Sequence, residues 1–154
     1  MYRVHATTVG ALTSIALAAI DTALWDLRAR RAKLPLHQLA GGAKADIPLY
    51  STEGGWLHLT ETQLVEEALK AREAGFGGAK LKVGKPHVAE DVARLGAVRA
   101  AVGPDWDIMT DANQGFSLPE AIRRARCFEP LDLAWFEEPI LSLIHISEPT
   151  RPER

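Results

Sequence analysis

The chain has 154 residues, of which 47% are hydrophobic and 25% charged, and its formal charge is −2. That profile fits a soluble globular protein long enough to build a real core. It excludes a nucleic-acid or anionic-membrane partner as the organising feature. The densest basic cluster, Arg28, Arg30, Arg31 and Lys33, fits a solvated helix end where cations meet the negative pole.

Cys127 is the only cysteine, so no intrachain disulfide can form, which fits a cytoplasmic, reducing setting. It stands in a helical run and reads as a packed, inert thiol. No stretch reaches the roughly 18 apolar residues of a membrane span. Arg3 and the apolar run Ala11–Ile20 faintly imitate an export signal. Asp21 and Asp26 interrupt the segment beyond that run, and Ile20, Leu24 and Leu27 recur at helical spacing, which predicts an amphipathic core helix instead.

That helix is predicted over residues 12–33, with Ser14 as its cap and Leu34-Pro35 as its stop. A short turn containing His37, a packing or solvent residue, leads to Gly41-Gly42. From there a pattern repeats. A strand over 47–52 precedes a helix that starts at a Thr60/Gln63 capping box and ends near Ala74-Gly75. A strand over 79–83 is followed by a helix over 88–102, with Gly103-Pro104 as its stop. A strand over 107–111 is followed by a helix from a Ser117/Glu120 capping box to Glu129-Pro130, and a fourth strand covers 133–137. Strand and helix alternate with a period of about 30 residues, which implies parallel strands joined by right-handed crossovers.

An open doubly wound sheet and a (β/α)₈ barrel both satisfy that pattern. No Gly-x-Gly-x-x-Gly follows the first strand, so the dinucleotide-binding version lacks its main signature. Polar residues gather instead at the C-terminal ends of the strands, where barrels build active sites: Thr52 and Glu53, Lys80 and Lys82, Asp111 and Asn113, Glu137 and Glu138. A whole barrel needs about 250 residues, so the expectation is a partial (β/α)₈ barrel of about four strands and three helices. After Pro139 the alternation stops.

Lys80 and Lys82 share one face of their strand, with Ala79, Leu81 and Val83 on the other. By itself a Lys-x-Lys pair is a solvated face. Asp111 and Glu137 each end an apolar strand, and singly each could cap the loop that follows. As a pair at one barrel mouth they repel unless a cation sits between them, and a hard divalent ion such as Mg²⁺ suits oxygen ligands of this kind. A lysine beside another lysine and a divalent ion can act as a base, because both neighbours disfavour its ammonium form. Together these groups could bind a substrate carboxylate, remove its α-proton and stabilise the resulting enolate with the metal. Asn113 shares parity with Asp111 and reads either as a substrate contact or as the start of an Asx turn. Glu138, of opposite parity to Glu137, reads as a supporting acid or a partner for a lysine.

Ala79-Lys80-Leu81-Lys82-Val83, Thr110-Asp111-Ala112-Asn113-Gln114 and Trp135-Phe136-Glu137-Glu138-Pro139, one βα unit apart, resemble the enolase superfamily, mandelate racemase subgroup. Ala19–Leu27 and Leu39-Ala40-Gly41-Gly42 resemble the segment leading into that family's barrel, and the resemblance spans about residues 10–140. It implies Lys82 as the proton-abstracting base, with Lys80 as a partner that contacts the substrate carboxylate and lowers the pKa of Lys82. It also implies Asp111 and Glu137 as the first two Mg²⁺ ligands, and Asn113 and Thr52 as substrate contacts. The Gly54-Gly55-Trp56 loop and the Gly77–Pro86 segment look most like acid-sugar dehydratases of the galactarate/talarate type, with a homo-oligomeric parent.

The family pattern is incomplete here. A third carboxylate ligand and an opposite-face His-Asp pair, expected on later strands, are absent, and so is most of the N-terminal capping domain. Residues 1–45 therefore read as a remnant of the N-terminal region with its linker helix, and 46–140 as the first half of the barrel. Residues 141–154 read as a non-native tail, because Ser142–Pro152 resembles translated sequencing-adapter DNA; His145 is accordingly not the missing catalytic histidine. The leading expectation is a parent Mg²⁺-dependent lyase acting on an acid sugar, and a racemase or epimerase of the same superfamily is its near alternative. A Schiff-base aldolase has no use for Asp111 together with Glu137. As an isolated half-barrel, the chain would be inactive and would expose two strand edges.

Overall fold

The computed structural model describes residues 11–42, 44 and 46–141. Arg3, His145 and residues 142–154 of the tail expected to be non-native lie outside these residues. The chain divides into two compact units, residues 1–47 and 48–154.

In the first unit, helix α1 spans Ala11–Ala32 and a single turn, α2, spans Leu36–Leu39. Ser14 lies inside α1, so it is not the helix cap that the sequence suggested. The helix closes where Lys33 takes φ +54° and the Leu34 N–H donates to the Ala29 carbonyl at 3.1 Å. Pro35 then precedes α2, as expected of a residue that cannot continue a helix. Ile20, Leu24 and Leu27 are exposed, which corrects their expected place in a core. No helix among the described residues is long and apolar enough to cross a membrane.

The second unit alternates strand and helix throughout. Its elements are β1 (Tyr50–Ser51), α3 (Glu61–Glu73), β2 (Gly78–Lys82), α4 (Val88–Val102), β3 (Asp107–Asp111), α5 (Leu118–Phe128), a 3₁₀ turn (Glu129–Leu131) and β4 (Trp135–Glu137). β1 and β4 are shorter than their apolar runs suggested, because each is an edge strand with one neighbour among the described residues. Thr60 caps α3 as predicted: its hydroxyl accepts the Gln63 N–H, and the Gln63 side chain accepts the Thr60 N–H. The second predicted box does not form. Ser117 sits at the N-cap of α5 without a side-chain capping bond, and the Glu120 carboxylate is taken by Arg123 and Arg124 instead.

All four strands are parallel and lie in sequential order, β1-β2-β3-β4. This order separates the two topologies left open by the alternation. A doubly wound sheet reverses direction at a switch point, whereas right-handed crossovers that always step the same way place every helix on one face, as in a barrel. The helix-facing side holds Ala79, Leu81, Val83 and Ile108, which pack with Leu64, Ala68, Leu95, Val98 and Phe128 in one buried cluster. Trp106 joins this core, and its indole N–H donates to the Phe76 carbonyl at 2.8 Å. At the N-terminal end of the sheet, the Arg99 guanidinium donates to the carbonyls of Leu131, Gly103, Trp106 and Asp132 and so ties the α4–β3 and α5–β4 connections together.

Candidate active site

The sheet's other face carries Lys80, Lys82, Asp111 and Glu137. Register explains why they meet. Lys82 is the ladder partner of Asp111, Asp111 is the ladder partner of Glu137, and residues two apart on β2 share a face. Lys82 Nζ donates to Asp111 Oδ2 at 2.6 Å. Lys80 Nζ lies between the two acids, 3.0 Å from Glu137 Oε1 and 3.4 Å from Asp111 Oδ2. The lysine pair is therefore no solvated face: the two side chains are only 15% and 23% exposed, and Asp111 is 4% exposed.

Electrostatics follow from that packing. Burial pushes the Asp111 carboxyl up, but the bonds from Lys82, the Asn113 N–H and Lys80 outweigh it and hold the group below its ordinary value. Lys80 is pushed above its ordinary value, chiefly by its bond to Glu137 and against the effect of burial. The upward shift arises because two carboxylates face the Lys80 ammonium itself.

The other predicted residues divide. Asn113 adopts φ +47° and donates its backbone N–H to Asp111 Oδ1 at 2.9 Å, so the Asx turn here is headed by Asp111 and not by Asn113. Its exposed side chain lines the cavity beside Lys82, together with Trp56, His58, Lys85 and Phe116. Thr52 is exposed one residue beyond β1 and is not among the residues lining that cavity. Glu138 has no lysine partner among the described residues. It adopts φ +43° and accepts the Gln114 side-chain amide at 3.0 Å, while its carbonyl accepts the Gln114 N–H at 2.7 Å.

Two contributions were missed by sequence reasoning. The Trp135 indole N–H donates to Glu137 Oε2 at 3.1 Å and so fixes the carboxylate from the side opposite Lys80; shared strand parity was the available signal. Gly55 lies flat against β2: its carbonyl accepts the Lys82 N–H at 2.7 Å, and a Cβ there would fall 2.1 Å from the Lys80 carbonyl oxygen. The Gly-Gly-Trp loop was legible in the sequence, but this backbone contact was not.

The residues fit a divalent cation. Lys80 already places a positive charge between two carboxylates that end neighbouring strands, and hard oxygen donors of this kind suit Mg²⁺, which binds through one or two carboxylates with water or substrate completing the set. Among the described residues no group of three or more His, Cys, Asp or Glu converges.

A half-turn of parallel β/α units with lysines and acids at its C-terminal mouth defines the barrel class of enzyme sites. Residues 63–148 match the enolase C-terminal domain-like family, and residues 1–41 match the mandelate racemase/muconate lactonizing enzyme N-terminal domain. The chain belongs to the enolase superfamily, mandelate racemase subgroup. It is 46% identical over 125 residues to L-talarate/galactarate dehydratase of Salmonella typhimurium, covering 81% of this chain and 31% of that protein. The structure of L-talarate dehydratase from Polaromonas sp. JS666, complexed with Mg and L-glucarate, superposes with a TM-score of 0.86 at 42% identity, over 94% of this chain and 40% of that one. A racemase from Streptomyces coelicolor A3(2) with bound magnesium gives 0.84 at 38% identity, over 91% and 39%. The chain thus spans about a third of the length of the dehydratase.

Proposed function

We propose that this chain carries the proton-abstracting half of an enolase-superfamily active site, and that the whole protein is a Mg²⁺-dependent dehydratase of an acid sugar. The observation behind this reading is the alternation of charge across three strand ends: Lys82 on Asp111, and Lys80 on both Asp111 and Glu137. Similarity to talarate dehydratases supports the acid-sugar class. The likeness to a racemase keeps racemisation as the second reading, since both reactions begin with the same proton removal.

Asp111 and Glu137 would hold the ion. When bound, Mg²⁺ supplies positive charge opposite the substrate carboxylate and the negative charge that builds on it as the α-proton leaves. Lys82 takes the α-proton, and Lys80 contacts the substrate carboxylate from the same face of β2. Trp135 keeps the Glu137 carboxylate oriented, and Asn113 binds substrate hydroxyls from the cavity wall. In dehydration, loss of a β-hydroxyl completes the reaction; the acid for that step lies outside the residues assigned here.

The test is α-proton exchange with galactarate in D₂O with Mg²⁺, using this chain completed by the later barrel strands of a talarate/galactarate dehydratase. Lys82→Ala is expected to abolish exchange, and exchange that survives the substitution removes Lys82 from the base role. A racemised but undehydrated product would favour the second reading.

A further inference from the structure

Behind the lysines lies a buried ionic cluster that the chemistry above does not use. Asp91 on α4 is fully buried, and Arg94 and Arg124 are 5% and 3% exposed. Two buried guanidiniums around one carboxylate are expensive to desolvate, and packed apolar side chains of similar volume generally stabilise a fold as well or better. Stability alone therefore gives no reason for the cluster. Its hydrogen bonds supply one, because they run to backbone groups of the loops after β1 and β2.

Asp91 Oδ2 accepts the Gly84 N–H at 2.9 Å and Oδ1 accepts the Lys85 N–H at 3.3 Å. Arg94 Nη1 donates to the Lys82 carbonyl at 3.1 Å, and its Nη2 donates to the Trp56 carbonyl at 3.1 Å. Arg124 pairs with Asp91 and donates to the carbonyls of Lys85 and Pro86 at 2.8 and 3.3 Å. Its guanidinium also sits 4.5 Å over the Phe116 ring, on the cavity wall. Chain that has left the sheet ladder must find partners for its buried peptide groups, and no apolar side chain can supply them. The cluster serves six backbone groups, one at the end of β2 and five in the loops after β1 and β2. Arg94 Nε is left buried without a partner, so the fork is aimed at the two carbonyls at some cost.

We propose that Asp91, Arg94 and Arg124 are positioning residues that lock the backbone of Lys82 and the Trp56 loop, and so set where the Lys82 amine points. Lys82 is held through both of its peptide groups: its N–H by Gly55 and its carbonyl by Arg94. A fork that spans the Lys82 and Trp56 carbonyls also fixes the floor of the cavity relative to the amine. The importance of this brace to catalysis rests on the reading of Lys82 as the base; its geometric claim does not.

The experiment uses the full chain, with ¹⁵N amide exchange and the ¹⁵N signal of the Lys82 ammonium group as readouts. Arg94→Lys keeps the charge but cannot span both carbonyls, and Asp91→Asn keeps the shape but loses the charge. Asp91→Asn is expected to speed exchange at Gly84 and Lys85, whose N–H groups Asp91 accepts, and Arg94→Lys at Lys82, whose N–H bonds Gly55 in the braced loop, each by at least about tenfold. Each should also broaden the protected Lys82 ammonium signal, while Ile108 and Met109 amides in β3 keep their protection. An unchanged Lys82 signal overturns the proposal. So does exchange that rises alike in β2 and β3 in Arg94→Lys, because the cluster then contributes only global stability. None of these readouts requires turnover, so failure of the Lys82→Ala exchange test leaves them standing, and the two results are separable.

Discussion

Lys80→Met isolates the electrostatic logic of the site. Lys80 Nζ is 3.0 Å from Glu137 and 3.4 Å from Asp111, and the two acids are ladder partners. At an effective dielectric near 20, each of these contacts is worth up to about 5 kcal/mol of Coulomb attraction. Desolvation of the partly buried lysine and the 34% exposure of Glu137 cancel most of that. The net loss expected for Lys80→Met at pH 7 is about 2 kcal/mol, since removing the ammonium leaves the acids facing each other with Lys82 on Asp111 alone. For a chain of this size that is roughly a 4–8 °C fall in Tm.

The loss is pH-dependent with a defined sign. Asp111 is held below its ordinary value in the folded protein, so its ion pairs contribute stability above the unfolded carboxylate pKa, and that stability disappears as pH falls through the lower folded value. The gap between wild type and Lys80→Met should therefore be full at pH 7 and close at acid pH, once the carboxylates of both proteins are protonated. Urea unfolding followed by circular dichroism across the range from neutral to strongly acid pH measures it. A gap that stays constant across this range, or a variant more stable than wild type at pH 7, would refute the reasoning.

Gly55→Ala should destabilise the chain by about 3 kcal/mol, because the new methyl meets the Lys80 carbonyl and cannot be relieved by a side-chain movement; a Tm indistinguishable from that of wild type would contradict this. Glu120, bonded by Arg123 and Arg124, has its carboxyl lowered to about 2, so ¹³C carboxyl NMR should show it ionised well below the range of an ordinary glutamate. Millimolar Mg²⁺ should raise the Tm of wild type, and Asp111→Asn or Glu137→Gln should abolish the rise, which calorimetry can follow directly. Trp135→Phe should keep the fold at a cost of about 1 kcal/mol, from loss of the indole bond to Glu137.

The sequence by itself determined the order of elements and the strand ends that bear the chemistry. Period, caps and glycine stops are local features, and Thr60/Gln63 closed as its box predicts, each partner bonded to the other. Glu120 shows where local reading stops: a capping-box acid one turn from two arginines joined them instead. Parity placed Lys80 with Lys82, and Asp111 with Glu137, on shared faces. Tertiary structure decided what parity could not. Sequential strand order selected the barrel topology over the doubly wound one, and register set Lys80 between two acids, which raises its affinity for the proton. The brace of Asp91, Arg94 and Arg124 was invisible along the chain, since its members are scattered charged positions on two helices. Only packing buries them, and only burial makes their bonds to the Lys82 loop count.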